Sequence, residues 1–213
     1  MGTAEVITPT LTSDQAIEQT RHWLETAVIG LGFCPFAGPV HARGLVRFVV
    51  SAAQSETELE SDFVDELIRL RSTPSHVLET TLLIHPWVLT HFADFNEFLE
   101  VTDHLLEVHG FVGEFQVASF HPDYQFAVVP PDDITHFTNR SPFPTLHLLR
   151  ESSVTKAVAT VPDPDAIVAD NQATLRRMGR AGWNALGIGS CPMESAPDSI
   201  RPQSPLPSAS SPL

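Results

Sequence analysis

Residues 76–86, HVLETTLLIHP, decide the architecture. After Glu79 the run TTLLI turns apolar without alternating, and it stops at a His-Pro pair. A short unbroken apolar run fits a strand covered on both faces, as in a parallel sheet. Pro86 has no N–H for a ladder and pushes His85 toward extended geometry, so the strand is expected to end there with the imidazole at the sheet rim.

The same arrangement recurs in FQVASFHPDYQF, 115–126, where His121 and Pro122 follow an apolar run and are themselves followed by Asp123 and by Tyr124, the only tyrosine. LVRFVVSAA, 45–53, is rich in β-branched residues and reads as a further strand. Between these runs lie helical patterns. Ser55 and Glu58 form a capping box ahead of Leu59, Phe63, Leu67 and Leu70, and Pro74 closes that segment. Thr90 is placed to cap a helix through Phe92, Phe95, Leu99, Leu105 and Val108, ended by Gly110. An earlier helix over 12–31 has Thr12 or Ser13 as its cap, and Gly32, Pro35, Gly38 and Pro39 are expected to stop regular structure after it.

Strand, helix, strand, helix, strand implies right-handed crossovers between parallel strands. The expected class is α/β, with α+β as the alternative: a small, mostly parallel three- to four-stranded sheet flanked by helices. QFAVV, 125–129, is the candidate fourth strand. Residues 130–145 read as a long polar loop, and 146–161, LHLLRESSVTKAVATV, as a segment that begins as a helix. Asp163 and Pro164 open a last helix reaching about Trp183. The expected organisation is a flexible N-terminus over 1–11, one globular domain over 12–188 and a Pro/Ser-rich tail over 189–213, too poor in large apolar residues to order itself.

Composition narrows the partners. With 26 acids against 12 basic residues the net charge is −14, and no Lys/Arg block offers a surface to a phosphate backbone or an anionic membrane. Cys34 and Cys191 form no disulfide framework, which points to a reducing compartment. The N-terminus lacks a basic, apolar leader, and no run is long enough to span a bilayer, so a cytoplasmic location is expected.

In parallel strands His85 and His121 emerge at one edge, where open α/β sheets bind ligands. Asp123 is placed either to bind a metal with His121 or to orient an imidazole, and the Tyr124 phenol to donate to a developing negative charge; a turn role for Asp123 is the alternative. On a helix from Thr145, His147 and Glu151 share a face and could hold one ion, or simply each other. Arg140 and Arg150 suit a bidentate carboxylate or phosphate clamp, or else structural ion pairs. Cys34 in GFCPFAG fits a nucleophile, a metal ligand, a haem thiolate or a small packing residue. Glu79 is the acid within an apolar strand and needs a partner. GxGxxG, GxxxxGK[ST], GxSxG and HExxH motifs are absent.

CPFA at 34–37, ETTLLI at 79–84, FQVASFHPDYQF at 115–126 and TNRSPFPTLHLLRES at 138–152 together resemble the bacterial and plastid family catalogued as domain of unknown function number 1415, over about residues 15–182. The resemblance implies that Cys34, His121, Asp123, Tyr124, Asn139, Arg140, Ser141, His147, Arg150 and Glu151 lie on signature positions; it supplies no reaction. The resulting expectation is an enzyme acting on a small anionic metabolite. His121, Asp123, Tyr124 and His147 are its catalytic candidates, and Asn139, Arg140, Ser141 and Arg150 its substrate-binding candidates. His121, His147 and Glu151 are the candidate ligands of a divalent iron or zinc, with haem a weaker alternative. Cys34, Glu79 and His85 are further candidates. The competing readings are a metal-free acid/base enzyme and a non-catalytic ligand-binding or assembly protein.

Overall fold

The computed structural model describes residues 11–189 except 165. The expected flexible segment over 1–11 and the expected tail over 189–213, with Cys191, fall outside those residues apart from positions 11 and 189. Among the described residues, no helix is long and apolar enough to cross a membrane.

Four strands form one sheet: β1 (Val46–Val50), β2 (Thr80–Ile84), β3 (Phe115–Phe120) and β4 (Thr145–Arg150). Their order is β1-β2-β4-β3, with β1 parallel to β2 and β4 antiparallel to both β2 and β3. The class is therefore α/β as expected, but the sheet is mixed rather than mostly parallel. β1, β2 and β3 do run in one direction; the antiparallel β4 separates the last two.

That strand is TLHLLR, where a helix is expected from the sequence pattern. Residues 145–149 are all buried because β4 is an interior strand covered on both faces. Such a strand shows no alternation, so its apolar run does not distinguish it from a buried helix. QFAVV forms no strand; residues 121–133 are turns and irregular chain.

Side chains alternate along the strands and divide the core in two. Leu83, Phe115, Leu146 and Leu148 face α3 (Glu56–Ser72) and α4 (Phe92–Val108), meeting Leu59, Phe63, Leu67, Phe95 and Phe98. On the other face Leu82 joins Trp23, Leu24, Phe33, Leu175 and Trp183, brought by α1 (Ser13–Trp23), the segment after it and α6 (Ala166–Ala185). α5 (Glu151–Val158) follows β4 directly.

Local chemistry sets the element ends. Thr12 caps α1 in a reciprocal box with Gln15, and Ser55 accepts the Glu58 N–H at the start of α3. α4 begins one residue later than expected: its N-cap is His91, without a side-chain cap, and Gly110 takes a φ of +65° just past its end. α1 continues as a π-helical stretch over Leu24–Ile29. The following glycines and prolines do not abolish regular structure, since α2 (Ala37–Ala42) forms with Val40 buried. α6 is broken at Gly179, whose φ of 65° and ψ of 176° lie outside the helical region.

Candidate functional site

The loops that leave β2 and β3 and the loop that enters β4 meet at one edge of the sheet. The His85 N–H donates to the Pro144 carbonyl at 3.0 Å and the His121 N–H to the Asn139 carbonyl at 3.1 Å, tying all three together. His85, His121, Asp123, Tyr124, Asn139, Arg140 and Ser141 are thus gathered there, as parallel β2 and β3 require.

His85 and His121 are both buried, and their hydrogen bonds define their tautomers. The His121 Nδ1 accepts the Asp123 N–H at 3.0 Å, so its proton sits on Nε2, which donates to the Leu89 carbonyl at 3.3 Å. The His85 Nδ1–H donates to the Val88 carbonyl at 3.0 Å, leaving Nε2 unprotonated and, among the described residues, without a hydrogen-bond partner. Phe95 packs against both rings, with centroids 5.7 Å from His85 and 5.1 Å from His121. Burial pushes both imidazoles down to about 4; at His121 this outweighs the opposing pull of the Asp123 carboxylate.

The other edge residues divide by role. The Asn139 side-chain amide donates to the Ser119 carbonyl at 3.2 Å, and the Ser141 hydroxyl to the Phe143 carbonyl at 2.6 Å, so both fold the loop into β4. Arg140 is half-buried; its Nε–H donates to the Tyr124 carbonyl at 3.2 Å and its guanidinium lies 4.5 Å from the Phe137 ring centre. The Tyr124 ring rests between Phe92 and Phe126, each 5.1 Å away, while Asp123 is exposed. A fixed cation, a carboxylate and a phenol therefore share this edge.

The remaining candidates lie elsewhere. His147 stands in the middle of β4 on the face opposite Phe95, where its Nε2–H donates to Thr80 Oγ1 at 2.8 Å while the threonine hydroxyl donates onward to the Leu148 carbonyl. Burial holds this imidazole at about 4. A cavity of about 10 Å³, lined by Phe36, Val40, Leu82 and His147 among others, adjoins it. Glu151 opens α5, and strand geometry sets it about 13 Å along the chain from His147 rather than one helical turn. Among the described residues no three His, Cys, Asp or Glu side chains are grouped to hold a metal ion. The expected set of His121, His147 and Glu151 is not assembled, because it presumed a helix where β4 runs.

Arg150 serves the fold. Its Nη2 donates to the carbonyls of Leu70, Thr73 (2.7 Å) and Leu78 (3.3 Å), closing the C-terminal end of α3. Glu79 is buried just before β2, and its Oε1 has no hydrogen-bond partner among the described residues. Cys34 packs against Phe36, Val40 and Leu149, and burial pushes its thiol up, disfavouring the thiolate that would attack carbon or bind haem iron.

Three features of the edge escaped the sequence reading. Ser51, which follows β1, donates to Asp62 Oδ2 at 2.6 Å, a contact set by the β1–α3 packing. His136 accepts the Phe126 N–H and donates to the Pro130 carbonyl, ordering the loop after Tyr124. Leu89 adopts a φ of 56°, which no composition signal announces.

No curated protein and no solved structure matches the chain. Over residues 15–185 it matches the sequence profile of one family, whose description is "Protein of unknown function (DUF1415)". That match spans most of the chain and takes in both the polar sheet edge and the β4 segment, so the chain belongs to the DUF1415 family.

Proposed function

We propose that the chain is an enzyme acting on a small anionic metabolite held at the C-terminal ends of β2 and β3. Arg140 carries this reading. In a chain of net charge −14 it is a half-buried cation, anchored through Nε to the Tyr124 carbonyl and laid over Phe137, beside the segment that bears the Asp123 carboxylate and the Tyr124 phenol. A guanidinium so oriented suits a carboxylate or phosphate. Tyr124 can donate a proton or hydrogen bond to charge developing on the bound anion, and the exposed Asp123 carboxylate can accept a proton. His121, His147 and Glu151, the donors expected for iron or zinc, lie apart and do not share one ion among the described residues. Acidic composition and the lack of a disulfide framework support a cytoplasmic setting.

The reading is tested by thermal shift with inorganic phosphate and a panel of mono- and dicarboxylates, on the wild type and on Arg140→Gln. Stabilisation by at least one anion, lost in Arg140→Gln, is expected; no stabilisation by any anion, or equal stabilisation of the variant, rejects it. One observation favours a second reading: both His121 nitrogens are engaged with backbone, as in a binding protein that has no use for a mobile base. Asp123→Asn separates the two. Turnover of the stabilising ligand that disappears while binding persists identifies the enzyme, and binding without turnover in the wild type identifies the binder.

A further inference from the structure

The turn from β2 into α4, residues 85–91, carries three observations that belong together. Leu89 is the one non-glycine residue with positive φ among the described residues. An L side chain in this region is disfavoured by the approach of Cβ to the next carbonyl, and the strain persists only where the surroundings enforce it. The surroundings are two imidazoles gripping successive carbonyls: His85 holds Val88 and His121 holds Leu89. His121 is itself fixed by the Asp123 N–H, so the loop after β3 sets the grip on the loop after β2. Third, His85 is buried, and its Nε2 has no hydrogen-bond partner among the described residues. Buried polar atoms almost always have a partner, so an acceptor beside the Phe95 ring with none among the described residues is the group here with most to gain from a ligand donor.

We propose that residues 86–91 form a strap latched by His85 and His121, and that its release uncovers His85 Nε2 as an acceptor for a ligand hydroxyl or ammonium group. The strain at Leu89 favours release, and the two imidazole–carbonyl bonds oppose it. The strap belongs to the ligand-free chain and stands independently of the anion reading.

Diethyl pyrocarbonate, which acylates accessible unprotonated imidazole nitrogens, is the probe, with each modified histidine located by mass spectrometry. The variant is His121→Phe, which keeps a ring against Phe92 and Phe95 but loses the bond to Leu89. His147, buried on the opposite sheet face, reports global unfolding. The expected result is a roughly three- to tenfold faster modification of His85, the change one lost hydrogen bond produces, with His147 unchanged. An unchanged His85 rate, or His85 and His147 rising together, overturns the proposal. Should the variant not fold, the wild type decides in increasing urea: His85 reacting well before His147 supports the strap, and simultaneous reaction overturns it.

Discussion

Arg150 is the sharpest place to set a structural role against a binding one. Its Nη2 faces the carbonyls of Leu70, Thr73 and Leu78, and its guanidinium lies 5.6 Å from the Phe115 ring centre. One nitrogen carries two protons, so three acceptors share about two bonds. Charge-assisted bonds contribute about 1.5–3 kcal/mol each, and the exposure of this half-buried side chain lowers that range. Arg150→Met keeps the apolar stem and removes the donors, and should destabilise the fold by about 3 kcal/mol, a large share of the usual 5–15 kcal/mol. Urea unfolding followed by circular dichroism should show a midpoint lowered by about 1–1.5 M with an unchanged slope, taking roughly 2–3 kcal/mol per molar for a chain of this size. Arg150→Lys, with three donors but no planar fork, should recover part of the loss. A loss below about 1 kcal/mol in Arg150→Met, or intact stability with abolished anion binding, would show that the residue belongs to the ligand after all.

Three further outcomes follow from the same contacts. Burial lowers His85, His121 and His147 to about 4 against an ordinary 6.5, so between those limits the unfolded chain binds more protons; stability is full above about pH 6.5 and falls as pH drops toward 4, and a flat stability profile from pH 7 to 4 contradicts this. Thr80→Val leaves His147 Nε2–H facing a methyl group and should cost about 1–3 kcal/mol in chemical denaturation, whereas a neutral effect would show that the bond contributes nothing. Gly110→Ala meets no neighbour within 4 Å among the described residues, yet its φ of +65° should lower stability by about 1 kcal/mol, or about 2–4 °C in melting temperature; an unchanged melt refutes the conformational argument.

What could be read from the chain followed from local chemistry. Thr12 and Ser55 declare their helix starts, and His85-Pro86 and His121-Pro122 declare where β2 and β3 stop, which makes the placement of both imidazoles at one sheet edge legible in the sequence. What could not be read depended on pairing. The apolar run in β2 reports burial on two faces but says nothing of strand direction, and β4 carries the same signal in a sequence equally suited to a helix. The donor to Thr80 is 67 positions away, and the acceptors of Arg150 lie 72 to 80 positions away, so neither spacing nor periodicity points to them. The metal trio of His121, His147 and Glu151 likewise presumes a helix at residues 145–150, since the turn-long reach from His147 to Glu151 exists only on a helix.

The interior place of β4 has a consequence for the order in which the chain assembles. Its two neighbours, β2 and β3, are synthesised first but cannot be joined until residues 145–150 arrive to pair with both. The earlier two-thirds of the chain offers a β1–β2 pair and an isolated β3 with open edges. Sheet closure is thus postponed to a late, sequence-distant event of the kind that slows folding and prolongs the exposure of unpaired strands. Chains arrested before residue 145 should be digested at β3 by a protease that spares the same strand in chains arrested well past 150.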